Sequence, residues 1–145
     1  MVCHIPFSAR PQLWSRVEQT LAVDGVLYIE DFFAKGEYTE VELVDLEERI
    51  GMPSPKEIPS REKWIAQLEA AGFQDVTFQD MTDVWTPWVS ERAKTYRGNH
   101  DRNLRVQGKA ITEGMERFYD CVASLFNGGR LGGCIVRAVK ARGSR

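Results

Sequence analysis

Apolar residues in this chain recur at two spacings, three or four residues apart in some stretches and in short continuous runs in others. The first spacing is typical of helices with one buried face. It predicts five helices, at residues 9–22, 39–50, 60–72, 84–100 and 109–126. Ser8, Thr39 and Ser60 are the expected N-caps of the first three, and Glu42 completes a capping box with Thr39. Residues 98–107 fit either a loop or a helix.

The short apolar runs predict three strands. VLYIEDFF at 26–33 is expected to end near Glu30 or Asp31, and its lack of alternation indicates a strand covered on both faces. A second strand is centred on residues 76–78, and the third is CIVRAVKA, at 134–141. Strands that alternate with helices indicate an α/β sheet.

The glycines and the second helix carry two further expectations. Gly132 and Gly133 come between a helix and a strand and are interpreted as turn glycines. In the helix at 39–50, Val41, Val44 and Leu46 are the expected core positions.

Composition restricts the class of protein. The chain has 145 residues, 43% of them hydrophobic and 28% charged, with a formal net charge of -2. These values fit one globular domain over residues 1–145 and disfavour a nucleic-acid partner. No apolar run approaches the roughly 18 residues of a membrane span, and the first residues do not fit a signal peptide. We therefore expect no membrane partner.

The cysteines and histidines indicate where the protein is located and argue against metal binding. Cys3, Cys121 and Cys134 include no CxxC pair, and only two histidines are present. This pattern disfavours both a disulfide framework and a metal site, and it favours a reducing, cytoplasmic compartment. Cys121 and Cys134 lie in apolar stretches and are expected to be buried.

Several segments, taken in order, resemble the later part of a class I S-adenosylmethionine-dependent methyltransferase of the small-amine or sarcosine/dimethylglycine type. LAVDGVLYIEDFF resembles the fifth strand of that family, AAGFQDVTFQDMTD the sixth and GGCIVRAVKA the seventh. WTPWVSERAKTYR and FYDCVASLF resemble its helical insertion. The resemblance implies a partial, Rossmann-like, three-layer fold. In it the last strand runs antiparallel between the other two, and residues 84–127 form a helical lid.

The same resemblance leaves the cofactor-binding half of the family without a counterpart. Its glycine-rich turn, ribose-binding acid and adenine-binding residue belong to segments that precede those matched here. The resemblance therefore implies S-adenosylmethionine as cofactor, with its site largely absent from this chain. Two functions stay open, and with them whether the chain is an enzyme. One is a truncated transferase, the acceptor-side half of a methyltransferase that is inactive alone. The other is a non-catalytic, dimeric interaction or small-ligand module derived from one.

Candidate site residues follow from the resemblance and from the rule that ligands bind near the carboxyl ends of strands. The catalytic candidates are His4, as a base or a substrate contact, and Asp31, which would orient a substrate ammonium. The substrate-binding candidates are Phe32, Phe33, Trp85, Trp88, Arg92 and Tyr119. Each also has an ordinary structural reading as a terminal, core or surface residue. Arg97 is a further carboxylate-binding candidate beside Arg92.

The partners expected from the sequence are a second copy of the chain or a missing amino-terminal half, and a small-molecule amine. The strand at 26–33 would normally pair with a preceding strand, of which only a stub is present. Its open edge would expose backbone hydrogen-bonding groups, so we expect a homodimer to cover it. Charges are unevenly distributed, with basic residues concentrated at 92–109 and acidic ones at 37–48. These clusters are interpreted as solvated faces.

Overall fold

The computed structural model describes residues 4–142, which form six helices and three strands. Cys3 lies outside this range. The helices are α1 (Arg10–Thr20), α2 (Glu40–Glu48), α3 (Arg61–Ala70), α4 (Thr82–Gly98), α5 (His100–Gln107) and α6 (Lys109–Asn127). The strands are β1 (Val26–Ala34), β2 (Phe73–Asp80) and β3 (Leu131–Lys140). Residues 98–107, left open by the sequence, are therefore almost wholly helical.

The three strands form one sheet in the order β1-β3-β2. β3 is antiparallel to both neighbours, so β1 and β2 run parallel to each other with β3 between them. The prediction that the last strand inserts antiparallel between the other two is confirmed. The register pairs Phe32 with Gly133 and Glu30 with Ile135.

Helices cover both faces of the sheet, as the continuous apolar run of β1 predicted. On one face, α1 and α3 bury a core whose largest members are Trp14, Trp64, Ile29 and Phe33. On the other face, α2, α4 and α6 bury a core that includes Phe32, Leu46, Val122 and Phe126. Because successive strand residues point to opposite faces, neighbouring residues of β1 belong to different cores.

Local capping chemistry fixes the starts of α2 and α3. The Glu42 amide donates to Thr39 Oγ1 at 3.3 Å and the Thr39 amide donates to the Glu42 carboxylate at 2.8 Å, a complete capping box. Ser60 Oγ accepts from the Lys63 amide at 3.3 Å. Both predicted caps are confirmed. The cap predicted at Ser8 is wrong, because α1 begins at Arg10 after a single 3-10 turn and has no side-chain cap.

The structure also corrects which face of α2 is buried. Val41 and Val44 are 72% and 50% exposed, whereas Leu43 and Leu46 face the core. In addition, α2 and α3 lie on opposite faces of the sheet, since Leu46 and Trp64 belong to different cores. No helix within residues 4–142 is long and apolar enough to cross a bilayer.

Candidate functional site

A cavity of about 540 Å³ lies between β1 and the helices α4 and α6. It occupies the face of the sheet that Phe32 points to, near the carboxyl end of β1. The lining residues are Glu30, Phe32, Val84, Trp85, Trp88, Val89, Arg92, Phe118, Tyr119 and Val122. Five of these ten side chains are aromatic, so the wall offers mainly apolar surface and ring faces.

Gly133 allows α4 to approach the sheet closely enough to form this cavity. A Cβ atom at Gly133 would overlap the six-membered ring of Trp85. At Gly132 a Cβ would meet Phe33 and Thr82 on the opposite side. The interpretation of Gly132 and Gly133 as turn glycines is therefore wrong, because both lie inside β3, where they make room for neighbouring side chains.

The cavity has an apolar interior and a charged rim. Phe32, Val89 and Val122 are almost completely buried and form its inner end. Val84 and Trp88, at the outer end, are 62% and 60% exposed. The two charged groups of the lining, those of Glu30 and Arg92, also belong to exposed residues. A ligand in this cavity would thus meet hydrocarbon within and charge at the opening.

Aromatic contacts hold the Arg92 guanidinium in place at the rim. Its Nη2 donates a hydrogen bond to the Tyr119 hydroxyl at 2.9 Å. Its central carbon lies 5.0 Å from the Tyr119 ring centroid and 5.5 Å from that of Trp88. Tyr119 is supported in turn by Tyr96, with ring centroids 5.0 Å apart. These contacts restrict the rotamers of a long, flexible side chain and orient its remaining donors.

Glu30 provides the negative charge of the rim. One carboxylate oxygen accepts a hydrogen bond from the Tyr28 hydroxyl at 2.8 Å. This hydrogen bond raises the pKa of Tyr28, because deprotonation would place two negative charges side by side.

A salt bridge joins the carboxyl ends of the two parallel strands. Lys35 Nζ, directly after β1, lies 3.1 Å from Asp80 Oδ2 at the end of β2. Burial alone would raise the pKa of Asp80. Hydrogen bonds from the Thr82 hydroxyl and amide, together with Lys35, outweigh it, and the pKa is lowered. Asp80 accepts a hydrogen bond from the Thr82 amide at 2.8 Å, which fixes the first residue of α4, one of the helices that line the cavity.

Five of the eight site residues predicted from the sequence line the cavity together. They are Phe32, Trp85, Trp88, Arg92 and Tyr119. The other three lie elsewhere. His4 Nδ1 is 3.1 Å from the Gly51 carbonyl oxygen, and Phe33 packs edge-on against Phe78 on the opposite face of the sheet. Arg97, suggested as a partner of Arg92, forms a salt bridge with Asp120 instead.

Asp31 is the third predicted residue outside the cavity. It is completely buried on the sheet face covered by α1 and α3, where its carboxylate accepts from the Phe32 amide at 2.8 Å. Its neighbour Cys134 is also buried. Burial, and then the charge of Asp31, raise the pKa of that thiol to about 12, which favours the neutral thiol over the thiolate. Cys121 is buried as well, so the burial expected for both cysteines is confirmed.

Five cavity residues are not among the eight predicted ones, namely Glu30, Val84, Val89, Phe118 and Val122. Helical spacing could have found some of them. Val84, Trp88 and Arg92 are four residues apart and therefore share one face of α4. Glu30 and Asp31 both lie near the carboxyl end of β1, where at most one of two adjacent strand residues can face the cavity, and only the register of β1 against β3 decides which of the two faces α4 and α6.

The described strand-to-helix connections do not have the glycine-rich form of a nucleotide cradle. A nucleotide cradle is a glycine-rich connection from a strand into a helix. Within residues 4–142 two connections of this kind exist, residues 35–39 after β1 and Met81 after β2, and they contain one glycine between them. No group of three or more metal-ligating side chains is arranged around a common point in that range either.

A sheet with a central antiparallel strand, covered on one face by helices that enclose an apolar cavity, defines a methyltransferase-like α/β domain. Solved structures that resemble it include N-methyltransferases and cyclopropane synthases, some of them in complex with S-adenosylmethionine or S-adenosylhomocysteine. No protein-family model matches the chain, and no curated protein matches it.

Three solved structures illustrate the likeness. One is a phosphoethanolamine N-methyltransferase of Haemonchus contortus, in complex with phosphomonomethylethanolamine and S-adenosylhomocysteine. The match covers 97% of this chain and 32% of that protein, at 16% identity and a TM-score of 0.82. A cyclopropane synthase of Mycobacterium tuberculosis matches 95% with 52% of its own, at 17% identity and TM-score 0.80. A putative sarcosine dimethylglycine methyltransferase of Galdieria sulphuraria matches 94% with 49%, at 13% identity and TM-score 0.76.

At these identities the likeness is one of fold. It confirms the expected methyltransferase-like architecture. The chain spans between a third and about half of the length of the structures it matches.

Proposed function

We propose that this chain is the acceptor-binding part of an S-adenosylmethionine-dependent methyltransferase and that the cavity between β1, α4 and α6 holds the methyl acceptor. The observation that carries the proposal is the cavity itself, about 540 Å³ and lined mainly by apolar and aromatic side chains. Ligand sites have volumes of about 300–1,000 Å³ and this kind of lining. The structural neighbours support the choice of reaction class.

The chain's own contribution to such a reaction is positioning. Group transfer is accelerated when the two reactants are held at the correct distance and angle. Here the rigid sheet supplies Phe32, and α4 and α6 close over it with Trp85 and Phe118. The strand-to-helix connections of residues 4–142 lack the glycine-rich form of a nucleotide cradle. In this proposal the contacts to the cofactor therefore come from another polypeptide segment or another chain. The chain by itself is then inactive.

Two titrations test this proposal. The intact chain is first titrated with S-adenosylmethionine and, separately, with S-adenosylhomocysteine by calorimetry, and we expect no saturable heat up to millimolar ligand. It is then titrated with the neutral fluorescent probe N-phenyl-1-naphthylamine, which we expect to bind one molecule per chain. Saturable binding of either cofactor would show that this chain builds a cofactor site and would overturn the division of roles.

A matched pair of variants places the probe. Val122→Phe fills the inner end of the cavity and should weaken probe binding about tenfold or more, since an added ring removes the space for the ligand. Ile111→Phe makes the same kind of change on an exposed position of α6 outside the cavity and should leave binding unchanged. Equal binding by both variants would mean that the cavity is not the ligand site.

The second candidate is a non-catalytic dimeric module, favoured by the edge of β1. Within residues 4–142, β1 pairs with β3 alone, and Val26 and Tyr28 at its start are about half exposed. An open strand edge with apolar residues favours pairing with another chain. Sedimentation of the chain and of Tyr28→Lys tests it. A dimer that dissociates in the variant supports this candidate, and a monomer at all concentrations counts against it.

A further inference from the structure

The cavity separates hydrocarbon from charge along its depth. Its inner end consists of Phe32, Val89 and Val122, all almost completely buried. Its rim contains Arg92 and the half-exposed Trp88. A molecule that satisfies both regions has an apolar body and a charged or polar end, because a polar group at the inner end would lose its hydrogen bonds to water without replacement.

The guanidinium of Arg92 is the rim group best prepared to bind a ligand. It carries five N–H donors, of which one bonds the Tyr119 hydroxyl. No carboxylate of residues 4–142 forms a salt bridge with it, whereas Arg97, five residues further along α4, is paired with Asp120. The Glu30 carboxylate accepts from Tyr28 instead. A planar guanidinium with free donors matches the two oxygens of a carboxylate or phosphate.

The volume of the cavity argues against a small polar acceptor. About 540 Å³ of mainly apolar space would be largely unfilled by an amino acid or a simple amine, whose polar groups would also be left without partners at the inner end. The small-amine acceptor expected from the sequence therefore fits this cavity poorly. A larger apolar body is needed to displace the water and contact the rings.

We infer that the acceptor is an amphiphile, with an extended apolar body in the aromatic interior and an oxyanion head group against Arg92 at the rim. The inference depends on the proposed function only in identifying the bound ligand as the methyl acceptor. The head-group preference is a binding property of this chain, and it can be measured without the cofactor.

The test compares four molecules that share a ten-carbon chain and differ in their head groups. The intact chain is titrated with decanoate, decyl phosphate, decan-1-ol and decyltrimethylammonium, each below its micellar concentration, through displacement of N-phenyl-1-naphthylamine. We expect at least one of the two oxyanions to bind about tenfold or more tightly than the alcohol, as for a charge-assisted pair, and the ammonium to bind most weakly. The ranking of decanoate against decyl phosphate distinguishes the two oxyanions.

Substitutions at two arginines of the same helix identify the group responsible. Arg92→Met keeps a long side chain but removes the charge, and should abolish the oxyanion preference, measured as the ratio of the oxyanion affinity to the affinity for decan-1-ol. Arg97→Met removes the same charge outside the cavity and should keep the preference. Both positions are exposed, so thermal unfolding should be little affected, which circular dichroism checks.

Three outcomes would overturn the inference. The first is equal affinity for decanoate, decyl phosphate and the alcohol. The second is an oxyanion preference that survives in Arg92→Met. The third is tightest binding of the ammonium, which would mean that the aromatic faces select cations. In all three cases the cavity would still bind apolar ligands, and the proposed function would stand. If neither the four molecules nor the neutral probe binds, both the inference and the proposed function fail.

Discussion

Replacing Gly133 by alanine tests whether the close contact between α4 and the sheet is a structural requirement. The added Cβ atom would overlap Cε3, Cζ3 and Cδ2 of the Trp85 indole, which belong to a rigid ring and not to the end of a flexible chain. Carbon atoms pack at about 3.5–4.0 Å, so the ring must move by roughly an ångström or more. That displacement pushes Trp85 into the cavity it lines.

The expected cost is a balance of two terms. Overpacking a dense core costs about 1–3 kcal/mol. Alanine is better than glycine inside a strand by roughly 0.5–1 kcal/mol, which offsets part of this. We expect Gly133→Ala to lower the free energy of unfolding by about 1–2 kcal/mol, or about 2–8 °C in melting temperature for a chain of this size. Affinity for N-phenyl-1-naphthylamine should fall as well.

Gly114→Ala is the matched control. Gly114 lies within α6, and a Cβ there meets nothing within 4 Å. In a helix, alanine is favoured over glycine by roughly 1 kcal/mol, so this variant should be more stable than the parent chain. Urea unfolding of both variants measures the change in the free energy of unfolding, which should be a decrease for Gly133→Ala and an increase for Gly114→Ala. If Gly133→Ala left both the stability and the probe affinity unchanged, the Trp85 ring would not need the space that the missing Cβ of Gly133 provides.

Three other predictions concern caps, the core and pH. Thr39→Ala should destabilise the chain by about 0.5–2 kcal/mol in urea unfolding by removing the capping box, and no loss would mean that α2 starts without it. Trp64→Phe should lower the free energy of unfolding by about 2–4 kcal/mol, because it leaves a small void and removes the Nε1 donor 3.2 Å from the buried Phe32 carbonyl oxygen. A near-neutral result would mean that a water molecule replaces the lost donor. The pKa of Asp80 is lowered in the fold, so its contribution is present above the ordinary value of 3.8 and is lost as the pH falls through the lower, folded-state value. Thermal melts over acid pH should show less of this loss in Asp80→Asn, and identical profiles would contradict it.

Elements that depend on neighbouring residues could be predicted from the sequence. Thr39 with Glu42, and Ser60, are recognisable because a cap forms between residues two or three positions apart. The buried face of α2 could not be predicted in the same way. The sequence is compatible with two different buried faces, because apolar residues occur at Val41, Leu43, Val44 and Leu46. Only the packing of α2 in the folded chain buries Leu43 and Leu46.

The candidate site was predictable where it lies on helices and not where it lies on the strand. Trp85, Trp88 and Arg92 are close in sequence and share a helix, so their grouping could be inferred. Glu30 and Asp31 differ only in the face of β1 on which they lie, and that depends on the register with a strand a hundred residues away. The role of Gly133 is equally non-local, because it depends on where Trp85 packs.

The central position of β3 has a consequence for how the chain folds. Within residues 4–142, β1 and β2 each pair with β3 and not with one another, so no part of this three-stranded sheet can form until β3 is available. Its pairing with β1 joins residues separated by about a hundred positions, such as Phe32 and Gly133, and contacts of such separation slow folding because a large loop must close first. During synthesis, α1 to α6 emerge before their platform exists, with their apolar faces exposed. Release of β3 from the ribosome is then the event that converts a set of helices into a layered domain.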